Sequence, residues 1–480
     1  MKTFTKIVVS ITAIFTTAFT SAQVSFTATH YDSGDNLTYS IANGDFNNDG
    51  VLDLVTVNGS TLSFYKGLGA GKFANPVNQT VSANLGQAVV ADFNRDGRLD
   101  LAISSTGPNG TNGFVMVLLG NGNGTFTQGT NISISGGAQS LTLADFNGDH
   151  LPDMAVSLCT TSTCDTKIYL GQGNGTFKLS STLTYGGGRV VAGDFNADGH
   201  QDIAVLATNE LVMYLGVGNG SFQSPLLASQ NDPVGLAVGD FYNNRIQSLA
   251  VLTGVPDSSG NFSYYVATAR YLNGGLSVTS PQLAGTSQFL HDISGGDLTG
   301  DFKDDIVIAG GEKFGGGALF SYMVGNGDGT FQNAVSLPGL GQSEELPFVR
   351  DINVDGRHDI GAAWTNGYIV NGGGAYVLQN TSAPVNCAPP KPNALSVRIC
   401  APTNGQVVGK TFTFKAAGNA WNGFAKRMEL WIDGKKIGQN LEDQLKVTTS
   451  LAKGPHKASF VVVDSFDNYV SGSVSFTSSY

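Results

Sequence analysis

The chain has 480 residues, 64 of them glycine, and only 13% are charged while 41% are hydrophobic. That length can bury several cores, and the glycine content, with helix-forming stretches nearly absent, calls for many tight turns and an all-β fold. A net charge of −11, with the carboxylates gathered in loops, makes nucleic acid a poor partner.

In chain order, residues 1–22 come first. Lys2 and Lys6 precede an apolar run from Ile7 to Phe19 and small residues ending at Ala22, the pattern of a secretory signal peptide. The mature chain is then expected to begin near Gln23 and to be secreted or held at the cell surface. No other segment approaches the ~20 apolar residues that a membrane-spanning helix requires, and no cysteine follows the signal to carry a lipid. The four cysteines fall into two close pairs, Cys159 with Cys164 and Cys387 with Cys400, as expected for local disulfides in an oxidising compartment.

After the signal comes "DFNNDGVLD", Asp45 to Asp53, with acidic or amide residues at positions one, three, five and nine and glycine at six. The spacing is that of a calcium loop, D-x-[DN]-x-[DN]-G, but position twelve is Thr56 where a helical calcium loop needs Glu. The following "LDLVTV" alternates like a strand. The stretch returns at Asp92, Asp145, Asp194, Asp297 and Asp351, with a worn copy, "DFYNNRIQS", at Asp240. Successive starts lie 47, 53, 49, 46, 57 and 54 residues apart. Each period has room for four short strands. Around Asp145 these are "SLTLADF", "DMAVSL", "KIYLGQ" and "TFKLSSTL", and the "GNGTF" between the last two supplies a tight hairpin that also recurs.

This arrangement resembles the FG-GAP or VCBS repeat family, whose blades form the seven-bladed β-propeller also seen in integrin α-chains. The resemblance covers residues 23–380. It implies that residues 24–31, "VSFTATHY", close the last blade as its missing strand, leaving no exposed sheet edge. It also implies calcium ligands in five loops. These are Asp45, Asn47, Asp49, the Val51 carbonyl and Asp53; Asp92, Asn94, Asp96, the Arg98 carbonyl and Asp100; Asp145, Asn147, Asp149, the Leu151 carbonyl and Asp153; Asp194, Asn196, Asp198, the His200 carbonyl and Asp202; and Asp351, Asn353, Asp355, the Arg357 carbonyl and Asp359. Asp297, Asp301 and Asp305 form a weaker sixth set, because Thr299 and Phe302 replace the amide and the glycine; the copy at Asp240, with Ser248 at position nine, is expected to be metal-free. In the third loop His150 takes the glycine position. Turn chemistry alone explains any single Asp-Gly loop without metal. It does not by itself demand an anion at position nine, and that residue is the argument for calcium.

A proline-rich linker, residues 381–394, leads into residues 395–480, where six or seven short alternating runs separated by Gly, Asn and Pro predict an immunoglobulin-like β-sandwich with Trp431 in its core. From Asn386 onward there are 11 Lys and Arg against 6 Asp and Glu; the rest of the chain has 15 against 31. Two parts of opposite charge follow.

No G-x-S-x-G, H-E-x-x-H or Walker pattern occurs. In integrin-like propellers partners approach the face opposite the calcium loops, which implies ligand-facing aromatics at Tyr264, Phe314, Trp364 and Tyr368. The function expected is extracellular recognition or adhesion, with a protein or glycan as ligand. The alternatives are an extracellular carbohydrate-active enzyme, betrayed by unexplained polar side chains at the channel mouth, and a structural spacer, whose channel mouth would be bland.

Overall fold

The computed structural model describes residues 24–34, 38–81, 84–107, 112–256, 258, 262–287, 289–311, 319–337, 343–365, 373–382, 387, 395–419, 425–441, 443–464, 466 and 468–479. The signal segment lies outside them. Among the described residues the regular elements are all strands, and no helix is long and apolar enough to cross a membrane.

The repeats fold into antiparallel units of four or five strands, built in chain order from the inside outward, and a single bridge from Gly311 to Ser343 joins the sixth and seventh into one eight-stranded sheet. The first holds Ser40–Gly44, Asp53–Asn58, Thr61–Tyr65 and Val77–Thr80; the third holds Gly137–Ala144, Asp153–Cys159, Cys164–Gly171 and Phe177–Leu183; the fourth holds Val190–Gly193, Asp202–Ala207, Glu210–Tyr214 and Leu226–Ser229. The second and fifth carry an extra outer strand, and the sixth follows the same order from Phe289–Gly296 to Val335–Ser336. The seventh takes Ser343–Arg350, Asp359–Thr365 and Gly373–Asn380 from its own repeat, and its outer strand is the early segment Phe26–Asp32, paired from Phe26 with Asn380 to Asp32 with Gly374.

The register of the inner pair is the same throughout. Asp53 faces Gly44, Asp100 faces Ala91, Asp153 faces Ala144, Asp202 faces Gly193, Ser248 faces Gly239, Asp305 faces Gly296 and Asp359 faces Arg350. Position nine of every loop therefore opens the second strand directly opposite the residue before position one. The second strands, such as Asp53–Asn58, Asp100–Ser105 and Asp359–Thr365, are buried along their whole length, because a neighbouring sheet covers each face. This is why they read as near-continuous apolar runs.

A separate apolar core fills each junction between consecutive sheets. Val55, Leu101 and Phe126 pack between the first and second, and Phe320, Tyr322 and Leu378 between the sixth and seventh. Leu54, Tyr65, Ala363 and Val377 join the seventh back to the first. The sheets thus form a propeller-like ring around a central channel. Four junctions share a further device: loop phenylalanines Phe46, Phe93, Phe146 and Phe241 meet edge-on, at 5.3 to 5.7 Å, the aromatic of the next sheet's "GNGTF"-type turn. The second turn glycine donates its N–H to the same phenylalanine's carbonyl, as from Gly175 to Phe93 at 2.9 Å.

The C-terminal residues form two facing sheets. One holds Ser396–Ala401, Thr411–Asn419 and Gln444–Ser450; the other has Gly454–Asp464 between Tyr469–Ser478 and Ala425–Ile432, flanked by Val407–Val408 and Lys435–Asn440. Phe414, Leu430, Phe460 and Phe476 fill the space between them. Trp431, expected in this core, is only half-buried, and its indole N–H donates to Glu429 at 2.8 Å. Disulfides join Cys159 to Cys164 and Cys387 to Cys400.

Candidate metal centre

The Asp loops connect inner to second strands, so they gather on one face of the ring. In the first, Asp45 accepts hydrogen bonds from the N–H of Asp49 at 3.0 Å and Gly50 at 2.8 Å. Asn47 Oδ1 accepts from Asp49, and Asp49 Oδ1 from Val51. Each short side chain thus folds the backbone ahead of it. Position four takes a left-handed φ, 58° at Asn48 and 62° even at Val354, and position six does so at Gly50, at 80°. His150 and Phe302, which stand in for that glycine, adopt 63° and 67°, so the turn survives both replacements.

The ninth residue corrects the sequence argument. Asp202 Oδ2 accepts the N–H of Phe195 and its Oδ1 the N–H of Gly216, both at 2.8 Å. The same two-handed grip is made by Asp53 on Phe46 and Gly67, Asp100 on Phe93 and Gly120, Asp153 on Phe146 and Gly171, Asp305 on Leu298 and Gly325, and Asp359 on Ile352 and Asn380. A buried acceptor with two oxygens satisfies two amides that would otherwise be orphaned. The anion at position nine therefore has a structural use with no metal involved. In the worn fifth loop, Ser248 Oγ replaces half of it, accepting from Phe241 at 3.2 Å.

A glycine amide completes this grip in five of the six loops. A methyl group on Gly67, Gly120, Gly171, Gly216 or Gly325 would press into the carbonyl oxygen of the residue just before position nine. In sequence it is the first glycine of "LGNGNG", "LGQGNG" and "LGVGNG" for Gly120, Gly171 and Gly216, and of "KGLGAG" and "VGNGDG" for Gly67 and Gly325.

Burial pushes Asp53, Asp100, Asp153, Asp202 and Asp359 up to about 7, against hydrogen bonds that hold them down; the loop's other carboxylates add to the rise. Asp305 is pushed well above the usual carboxylate range. An all-oxygen donor set of Asp, Asn and carbonyl suits a hard cation such as calcium, and a cation beside these carboxylates would relieve the cost of ionising them. As they stand, no three acidic or histidine side chains among the described residues converge to hold a metal. Position five instead pairs with basic groups: Asp49 with Lys66 at 3.0 Å, Asp96 with Arg98 at 3.7 Å, Asp301 with Lys303 at 3.2 Å and Asp355 with Arg357. The donor types fit calcium; the present hydrogen bonds engage the same oxygens.

Two ligand-face expectations are corrected. Tyr264 and Trp364 are 3% and 6% exposed; Tyr264 belongs to the core between the fifth and sixth sheets, and Trp364 lies in that between the sixth and seventh, edge-on to His30. Both point along second or third strands into sheet junctions rather than out of loops. Phe314 and Tyr368 lie outside the described residues.

The loop face also meets the C-terminal sandwich, which sequence reasoning missed. His358 Nε2 lies 3.2 Å from Asp443, and His150 Nδ1 lies 3.2 Å from the Phe466 carbonyl. Burial alone would lower His358, but Asp443, with Asp297 and Asp351, outweighs it and holds the imidazole at about 10.

Sheets ringed in sequence order, with one acidic loop motif repeated on one face, define an all-β, propeller-like repeat protein. The model of the FG-GAP-like repeat matches this chain over residues 45–103, 92–156, 158–205 and 194–251. Among solved structures, an Agrocybe aegerita lectin described as specifically recognising non-reducing terminal N-acetylglucosamine is similar over 64% of this chain and 80% of its own, at 20% identity and a TM-score of 0.43. Fibronectin(III)-like modules of Clostridium thermocellum CbhA are similar over 18% of this chain and 100% of theirs, at 22% identity and a TM-score of 0.17. Neither likeness is close enough to carry an argument. No curated protein matches.

Proposed function

We propose that this is a secreted, calcium-binding, seven-bladed propeller with an immunoglobulin-like C-terminal domain, which recognises a protein or glycan outside the cell. The ring of sheet junctions, closed by Phe26–Asp32, supports the blade count, and the two disulfides suit an oxidising compartment. Calcium would be held by the Asp, Asn and carbonyl oxygens of loops one to four and seven, and more weakly by the sixth, neutralising carboxylates that burial makes costly to ionise.

The observation that carries recognition is the rim opposite the Asp loops. There the Cys159–Cys164 disulfide braces a loop that presents Thr161, Ser162 and Thr163 to solvent, and the hairpin of Ser248–Pro256 with Phe262–Leu272 exposes Val255 and Pro256. Loops held in one conformation lose little entropy on binding. A glycan array and a pull-down with the mature protein, run in calcium and in chelator, test the reading. Binding lost on replacing Thr161, Ser162 and Thr163 together by alanine supports it; glycan cleavage, or no ligand on either platform, overturns it.

A further inference from the structure

We propose that the Asp-loop face is a docking surface for this chain's own C-terminal sandwich, which caps the central channel there and leaves the opposite face as the way in for outside ligands. The contacts reach widely separated loops. Phe466, 2% exposed, leaves the sandwich to enter the core between the second and third sheets beside Phe93 and Leu141. Gln444 Nε2 donates to the Gly356 carbonyl at 2.7 Å, Asp443 faces His358, and Arg350 donates to Asn419 at 3.2 Å while its other nitrogen holds Asn43 at 2.7 Å. Lys446 stands over the Phe302 ring at 5.2 Å.

The seven copies of the loop act as internal controls. Each of the other six has at least two exposed residues, such as Asn48 and Asp49 in the first or Asp198 and Gly199 in the fourth. Asp351–Asp359 has none. Its motif matches the others, so the difference comes from what sits on it. A sandwich swinging freely on the proline-rich linker would leave all seven alike. Charge favours the seating, since the region from Asn386 is net basic and the remainder strongly acidic.

The cap also closes a space. A cavity of about 520 Å³ runs along the inner strands, and Leu441, Asp443 and Phe466 of the sandwich share its lining with Val89, Val238 and Val349 of the ring. Towards the opposite mouth, Arg189 and Asp292 form a two-pronged ion pair that links the fourth and sixth sheets across the fifth.

Hydrogen–deuterium exchange on the full chain compares Asp351–Asp359 with Asp45–Asp53, a loop that shares in none of these contacts. The seventh loop should exchange at least about tenfold more slowly, and Phe466→Ala combined with Gln444→Ala should remove the difference. Equal rates in the unaltered protein overturn the proposal. A second reporter guards against simple unfolding of the sandwich. All four native cysteines are paired, so Ser294→Cys, in the channel lining, gives a single free thiol. Maleimide reaches it only from the opposite mouth in the intact protein and should label it faster when Gln444→Ala and Asp443→Ala are added and open the second mouth, with circular dichroism unchanged. Labelling at one rate in both overturns it.

Discussion

Replacing Asp202 with alanine separates two explanations of why the repeats keep an aspartate at position nine. The Asp202 carboxylate is fully buried and is shared by the amides of Phe195 and Gly216. Removing it leaves two buried N–H groups without an acceptor, at about 1–3 kcal/mol each, so Asp202→Ala should destabilise the ring by roughly 2–6 kcal/mol. For a unit of the ring's size, each kcal/mol moves Tm by about 1–2 °C, so the fall should be on the order of 2–12 °C. Asp198, at position five, is exposed and accepts from the His200 backbone amide and the Asn196 side-chain amide. Asp198→Ala should cost under about 1 kcal/mol when no metal is present. Differential scanning calorimetry at pH 8 in excess chelator reads both. If the two variants melt together, or Asp202→Ala melts with the unaltered protein, the amide grip contributes nothing and position nine exists for the ion alone.

Gly216→Ala should destabilise by an amount comparable to Asp202→Ala, because its methyl group would push the Gln201 carbonyl away from the same grip; additivity of the two in a calorimetric double-mutant cycle would show them to be independent. In chelator, the ring's Tm should fall between pH 5 and pH 8. Asp53, Asp100, Asp153, Asp202 and Asp359 have folded values of about 7, above the unfolded value of 3.8, so the stability they contribute is complete below pH 4 and lost as pH rises through 7. Millimolar calcium should raise Tm most at pH 8 and flatten that slope; an identical pH profile in both conditions counts against bound ions. In the sandwich, burial favours a neutral Glu429, but hydrogen bonds from Lys436, Arg427 and Trp431 hold it down to about 2. Its contribution, on the order of 2 kcal/mol, is complete above about pH 4.5 and should disappear as pH falls towards 2, a loss that Glu429→Gln should not show.

The architecture was legible because its signals are local and repeated. Alternating runs, "GNG" turns and a period near fifty residues each follow from the chain's own geometry, and several copies in register leave little room for another fold. The loop conformation was legible for the same reason: Asp45, Asn47 and Asp49 fold their own neighbours through bonds spanning two to five residues. What could not be read lies between segments far apart in sequence. Asp202 reaches Gly216 across the second strand and the hairpin that follows it, Gly175 reaches Phe93 in the preceding sheet, and Phe466 reaches the second and third sheets from the far end of the chain. In the motif "DFNGDHLPD" the phenylalanine is an inter-sheet contact and the last aspartate an acceptor for backbone amides, roles that its spacing alone does not announce. Tyr264 and Trp364 misled for a related reason. They border loops whose sequence looks exposed, but they stand on strands whose faces are set by the neighbouring sheet, and a twisted ring turns those faces inward. A repeated acidic residue thus records two constraints at once, amide satisfaction inside and charge at the surface. Only a perturbation that keeps the oxygen and removes the charge, such as Asp202→Asn beside Asp202→Ala, tells how much of each the chain is obeying.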